Sequence, residues 1–333
     1  MRIRLPRLAA AAIGTVLALS TGFAAAAAPL PTASSTEQST AQSAASGARY
    51  PVPYTFAAAI PAALNAYGNA PGSNDWSCKP SAAHPEPVVL THGLLGNRND
   101  NWQTFAPLLA DEGYCVFALT YGTDPGVPFP VDQVGGLTPM EDSAAQLSTF
   151  VNQVLAATGA TKVDILGHSE GTVVPEYYVK YLGGAPKVDK YVSIAPIWHG
   201  TSPAGLASLD RFASIFGFSP VVNGTLNPLC GSCQELLAGS SFMTKLRAGG
   251  VVVPGVAYTN IVTRYDELVV PYTSGIEAAP GVTNIVVQNQ CGLDYSEHLA
   301  VVADPVAAAD VLNALDPAHP RAVPCTFVAP FVG

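Results

Sequence analysis

The chain has 333 residues, 49% of them hydrophobic and 12% charged, with a formal net charge of −9. Enough apolar sequence is present for a large buried core, and the acid excess, without any Lys/Arg cluster, argues against nucleic acid or an anionic membrane surface as a partner. Six cysteines, Cys78, Cys115, Cys230, Cys233, Cys291 and Cys325, suggest three disulfides in an exported chain, with fifteen connectivities open. Only Cys230 and Cys233 lie close together, so the paired short spacings of a zinc site are missing and no metal is expected.

In chain order, the first segment carries Arg2, Arg4 and Arg7, then an apolar stretch and small-residue sites near Ala26 to Ala28. This pattern predicts a secretory signal peptide over 1–28 and an extracellular protein. Its removal would make the chain more acidic still. Residues 29–50, rich in Pro, Ser, Thr and Ala, predict a flexible linker, and the folded domain is expected over 51–333. No later stretch is apolar and long enough to span a bilayer, and no 20–50-residue repeat is visible.

"PEPVVLTHG" predicts a buried strand, "NWQTFAPLLADEGY" a helix with Trp102, Phe105, Leu108 and Leu109 at helical spacing, and "CVFALTYG" a second strand. "EDSAAQLSTFVNQVLAATG" predicts a helix, "KVDILGHS" a strand, "GTVVPEYYVKYLGG" a helix and "VDKYVSIAP" a strand. "VAYTNIVTR" and "VTNIVVQN" predict further strands, and "DPVAAADVLNAL" a last helix. Such alternation means βαβ units, an α/β fold with a mostly parallel central sheet and flanking helices. The rhythm fails over 199–252, which predicts a lid-like insert. There Phe212, Ile215, Phe216 and Phe218 either wall a binding site or pack the insert's own small core.

At the junction of "VDIL" with "TVVPEYYVKYL" stands Gly167-His168-Ser169-Glu170-Gly171. Gly-x-Ser-x-Gly at a strand-to-helix turn is the signature of a nucleophile elbow, whose tightness requires glycine. A serine hydroxyl is a weak nucleophile until a base takes its proton. Of the six histidines, His298 in "DYSEHLAVV" fits the chain order in which the base follows nucleophile and acid. The acid is expected between them, after a strand. Asp266, just past "YTNIV", fits best, with Glu267, Asp294 and Glu297 as rivals. "VLTHGLLGN" follows an early strand and predicts an oxyanion hole built from the backbone amides of Leu94 and of Glu170.

Together with "APIWHGT", "TRYDELVVP" and "QCGLDYSEHLAVVADP", these stretches resemble the secreted class 2 bacterial lipases of actinobacteria. More distantly they are similar to a yeast lipase, lipase B. The resemblance covers about residues 50–333. It implies an α/β-hydrolase fold and carboxylic ester hydrolysis, without a cofactor, of a lipid or ester substrate, including one at a lipid–water interface. No obligate protein partner is implied. It supports Ser169, Asp266 and His298 as the triad, and Leu94 and Glu170 as oxyanion donors. It also suggests the disulfides Cys78–Cys115 and Cys291–Cys325. The pair Cys230–Cys233 has no counterpart in the yeast enzyme, nor has an acidic residue beside the nucleophile.

Three other readings compete with a lipase or esterase. A polyester or cutin hydrolase would use the same triad. A redox centre at Cys230–Cys233 lacks a thioredoxin-like strand context, and export favours a structural staple there. A non-catalytic binding domain on the same fold is disfavoured because every triad position is filled.

Overall fold

Six short runs dominated by Val, Ile and Leu form one sheet: β1 (Val88–Thr91), β2 (Val116–Leu119), β3 (Val163–His168), β4 (Val188–Ile194), β5 (Ala257–Val262) and β6 (Val282–Val286). Their order is β2-β1-β3-β4-β5-β6, and every pairing is parallel. The computed structural model describes residues 49–124, 126–215 and 230–332. The expected leader, nearly all of the linker, Phe216 and Phe218, and the side chains of Phe212 and Ile215 lie outside what is described. No described helix is long and apolar enough to cross a membrane.

Among the described residues the α-helices are α1 (Ala59–Ala62), α2 (Phe105–Asp111), α3 (Met140–Thr158), α4 (Val173–Tyr181), α5 (Pro203–Ile215), α6 (Gly231–Glu235), α7 (Ser241–Arg247), α8 (Val287–Gln290) and α9 (Pro305–Leu315). The sheet is covered on both faces, which is why its central strands read as unbroken apolar runs. Val89, Phe117 and Ile165 share one core with α3 and α4. Their neighbours Leu90, Ala118 and Leu166 share the other with α2 and α9. Residues one apart along a strand thus go to opposite layers, as the period of two requires.

Two elements differ from expectation. The helix expected from Gly171 opens with a 3₁₀ turn over Ser169–Thr172 before α4 begins. The strand expected over "VTNIVVQN" stops at Val286 and turns into α8. Its cause is tertiary: Gln288 Oε1 accepts the Arg264 N–H at 2.8 Å and its amide donates to Thr263 Oγ1 at 2.9 Å.

Both edges of the sheet are tied down. Cys115, at the start of β2, is bonded to Cys78. Asn74 pairs with β2 through Ala118, accepting its N–H and donating to its carbonyl, both at 2.9 Å. Cys291, just past β6 and α8, is bonded to Cys325 in the C-terminal segment.

The order places a switch point between β1 and β3, where successive connections leave in opposite directions and a crevice opens at the strands' C-terminal ends. There β3 meets β1 so closely that no side chain fits. A Cβ on Gly167 would lie 2.1 Å from the Gly171 carbonyl oxygen, and one on Gly171 2.0 Å from that of Thr91. Gly171→Ala should therefore destabilise the fold by about 3 kcal/mol or more, the upper end of overpacking costs. Thermal unfolding of the variant measures this, and an unchanged midpoint would contradict the packing described.

Candidate active site

Ser169 sits at the tip of the β3 elbow with φ +55°, left-handed backbone that a non-glycine residue adopts at a cost of about 1–3 kcal/mol. The surroundings hold it there. Thr91 Oγ1 donates to the Gly171 carbonyl at 2.6 Å, and Thr172 Oγ1 donates to the Ser169 carbonyl at the same distance. Ser169 is nearly buried but lines a cavity of about 170 Å³.

His298 lies past β6, in the loop before α9, and lines the same cavity. Its Nδ1 is 2.9 and 2.8 Å from the two carboxylate oxygens of Asp266, which follows β5. Asp266 Oδ1 also accepts the N–H groups of Leu268, at 3.0 Å, and Val269, at 2.6 Å. These bonds fix the carboxylate under the ring and place the His298 proton on Nδ1, leaving Nε2 to act as acceptor. The rivals for the acid are occupied elsewhere. Glu267 accepts the His298 backbone N–H at 3.4 Å, Glu297 accepts the Ala300 N–H at 3.1 Å, and Asp294 accepts the Ser296 N–H at 2.9 Å. Among the described residues no hydrogen bond joins the Ser169 hydroxyl to His298, a contact that often tightens only once substrate is bound.

Burial works against protonation of His298, but Asp266, and behind it Glu267 and Glu297, outweigh burial and raise the imidazole above its ordinary value. Burial in turn raises the carboxyl of Glu297 to about 7.

The loop after β1 carries Leu94. The Leu94 N–H has no acceptor among the described residues, and Leu94 lines the cavity. Its neighbours are pinned: Leu95 N–H donates to the Gly135 carbonyl at 3.1 Å, and Gly135 N–H to that of Gly96 at 2.9 Å. Glu170 is the second residue of the 3₁₀ turn, where the first amides of a helical segment have no partner within it. Ser169 and Glu170 from β3, Leu94 from β1, Asp266 from β5 and His298 from beyond β6 are thus collected at one edge of the sheet.

His168 is a member that spacing did not reveal. Nε2 of its ring lies 3.0 Å from the His298 carbonyl oxygen. Its Nδ1 lies 3.0 Å from Asn101 Oδ1, which also accepts the Gly93 N–H at 3.1 Å. Burial first, then His298, hold this imidazole well below its usual range, so it stays neutral and its single N–H serves only one of these two oxygens at a time. The ring lies between the loop of His298 and Asn101, which holds the loop of Leu94. His168 was visible within the elbow, but Asn101, 67 positions away, carries no sequence signal.

Most of the remaining lining is apolar, including Leu206, Leu209 and Leu236 from the region of the expected insert, while Asp100, Asn101, His168 and Thr201 are polar. That region also holds the Cys230–Cys233 disulfide.

Residues 85–309 match the sequence model of the family described as Lipase (class 2). The chain belongs to the class 2 lipase family. Within it, 156 residues are 30% identical to a triacylglycerol lipase of Pseudarthrobacter phenanthrenivorans, covering 41% of this chain and 45% of that one. A Burkholderia plantarii triacylglycerol lipase is equally similar, over 40% of its length. The chain therefore spans less than half the length of the curated relatives it matches. Aspergillus fumigatus lipase B has the same fold, with a TM-score of 0.55 and 21% identity, over 77% of this chain and 57% of that one. The fold is that of the α/β-hydrolases.

In this class 2 lipase, His298 should titrate above the ordinary imidazole value when followed by NMR of the ring nitrogens. Asp266→Asn should move that titration down, because burial then meets less opposition. A His298 that titrates at or below the ordinary value in the unaltered protein would refute the electrostatics described.

Proposed function

We propose that the protein is a secreted serine carboxylic ester hydrolase, a lipase or esterase acting on acylglycerols or other fatty acyl esters. The observation that carries this reading is the bond between His298 Nδ1 and Asp266 in the wall of an apolar cavity that Ser169 also lines. Relatives named as triacylglycerol lipases support the substrate class.

In the proposed reaction Ser169 Oγ attacks the acyl carbonyl carbon while His298 Nε2 takes its proton. The amides of Leu94 and Glu170 donate to the oxygen that becomes negative, each contributing about 3–4 kcal/mol to the transition state. The intermediate collapses to an acyl-enzyme, and His298 returns the proton to the departing alcohol. Water, deprotonated by the same imidazole, then releases the acid and restores Ser169. Leu206, Leu209 and Leu236 would receive the acyl chain, whose burial is worth about 0.8 kcal/mol per methylene. Export is supported by the leader pattern and by three disulfides among the described residues, which persist in oxidising surroundings.

Rates on p-nitrophenyl esters from acetate to palmitate, with emulsified triolein and polyester film alongside, test the substrate class. Ester turnover without action on triolein would make the protein an esterase, and preference for the film a polyester hydrolase. Absence of turnover on all of them would overturn the reading. Ser169→Ala should lower kcat by about 10⁶ and abolish labelling by a fluorophosphonate. Asp266→Asn should cost about 10⁴, because the wrong tautomer then faces the serine. Asp294→Asn, which touches no part of the imidazole, should leave most of the activity.

A further inference from the structure

Glu170 has a second group besides its backbone amide. Its carboxyl is 0% exposed, and neither oxygen has a hydrogen-bond partner among the described residues. It lies near the loop of Leu94: a Cβ on Gly136 would stand 2.9 Å from Glu170 Oε1 and 3.1 Å from Leu94 Cα, so the two meet around one point beside Gly136, where no side chain stands.

The groups facing this carboxyl decide its state. Tyr121 and Ser232 adjoin it. Both hydroxyl hydrogens are committed elsewhere: Tyr121 donates to the His92 carbonyl at 2.5 Å and Ser232 to the Gly136 carbonyl. Each can therefore accept from Glu170 but not donate to it. His92, stacked on Tyr121 at 4.1 Å, is neutral, since burial holds its pKa at about 4. It donates from Nδ1 to the Gly93 carbonyl and accepts the Tyr121 N–H at Nε2. The nearest further charge is acidic, Glu235. No described cation pairs with Glu170, and burial raises its carboxyl well above the usual range.

We infer that Glu170 works as a neutral carboxylic acid and is a positioning residue for the oxyanion hole. As a neutral group it packs against Tyr121 and Ser232, whose hydroxyls are held by the His92 and Gly136 carbonyls, and sets no charge against the Leu94 loop. Ser232 is held at this spot by the Cys230–Cys233 bond that encloses it. Ionisation would leave an uncompensated charge near the Leu94 loop and repel the oxyanion that forms beside it. The inference rests on the ester-hydrolase reading for its kinetic consequences, though not for the state of the carboxyl.

The test compares the unaltered protein with Glu170→Gln and Glu170→Ala on a p-nitrophenyl ester across pH. The amide of Gln mimics the neutral acid, so Glu170→Gln should retain at least about tenfold more kcat than Glu170→Ala near neutrality. Glu170→Ala should lose about 10²–10³ in kcat, with KM little changed, as when an oxyanion donor is misplaced. The neutral acid is the active form, so the unaltered enzyme should lose kcat as rising pH ionises Glu170. Glu170→Gln should lack that alkaline loss. Independently of activity, the infrared band of a protonated carboxyl should be present at neutral pH and missing from Glu170→Gln. The inference falls if Glu170→Gln is folded yet as impaired as Glu170→Ala, if Glu170→Ala is as active as the parent, or if no such band is lost. An unaltered protein that hydrolyses no ester would sink the ester-hydrolase reading, while the infrared band would still decide the carboxyl's state.

Discussion

The approach of the β3 elbow to the end of β1 is the contact on which the rest of the site depends. Where two successive segments come within 2.1 Å of each other's hypothetical Cβ, only glycine can stand, and Gly167 and Gly171 do. That closeness brings the loop of Leu94 alongside Ser169: a Cβ on Gly93 would lie 3.1 Å from the Ser169 Cβ. The strain at Ser169 is held in place by neighbours already committed, since Thr91 and Thr172 spend their hydroxyls on elbow carbonyls. Preorganisation of this kind is what an oxyanion hole needs, because donors fixed before the reaction need no reorganisation during it.

Hydrogen bonding, more than burial alone, sets the roles of the carboxyl groups. Asp266 and Glu170 are both buried and both belong to the site. Asp266 accepts from two backbone amides and from an imidazole. Glu170 accepts from nothing described and is surrounded by hydroxyls turned the other way. Two buried acids on one sheet edge thus have opposite surroundings, one held by three donors and one without a partner among the described residues.

The disulfides divide the structural work. Cys78–Cys115 and Cys291–Cys325 anchor chain segments next to the two edge strands, β2 and β6. Cys230–Cys233 closes a loop too small to restrict the unfolded chain much, and its place is beside the site, around Ser232. The His168 ring complements these covalent ties. It lies between the His298 loop and Asn101, which holds the Leu94 loop, so both loops pack on one imidazole.

The sequence by itself determined the parallel α/β sheet and the place of the elbow. Buried strands must be apolar throughout, and a turn without room for Cβ must be glycine, so both constraints are local and written in residue type. Chain order singled out His298, and position after a strand favoured Asp266. That preference could not become a choice, because Asp294 and Glu297 stand nearer to His298 in the chain and only folding shows that their carboxylates are taken by loop amides. The turn of "VTNIVVQN" into α8 was likewise illegible: the amide of Gln288 pulls the chain toward Thr263 and Arg264, on a different strand's loop. Tertiary structure alone decided the bridge from His168 to Asn101 and the solitude of the Glu170 carboxyl. Both depend on which groups from distant positions are delivered to one place, Asn101 from 67 residues away to His168, and Ser232 with its hydrogen already spent on Gly136, 96 positions off.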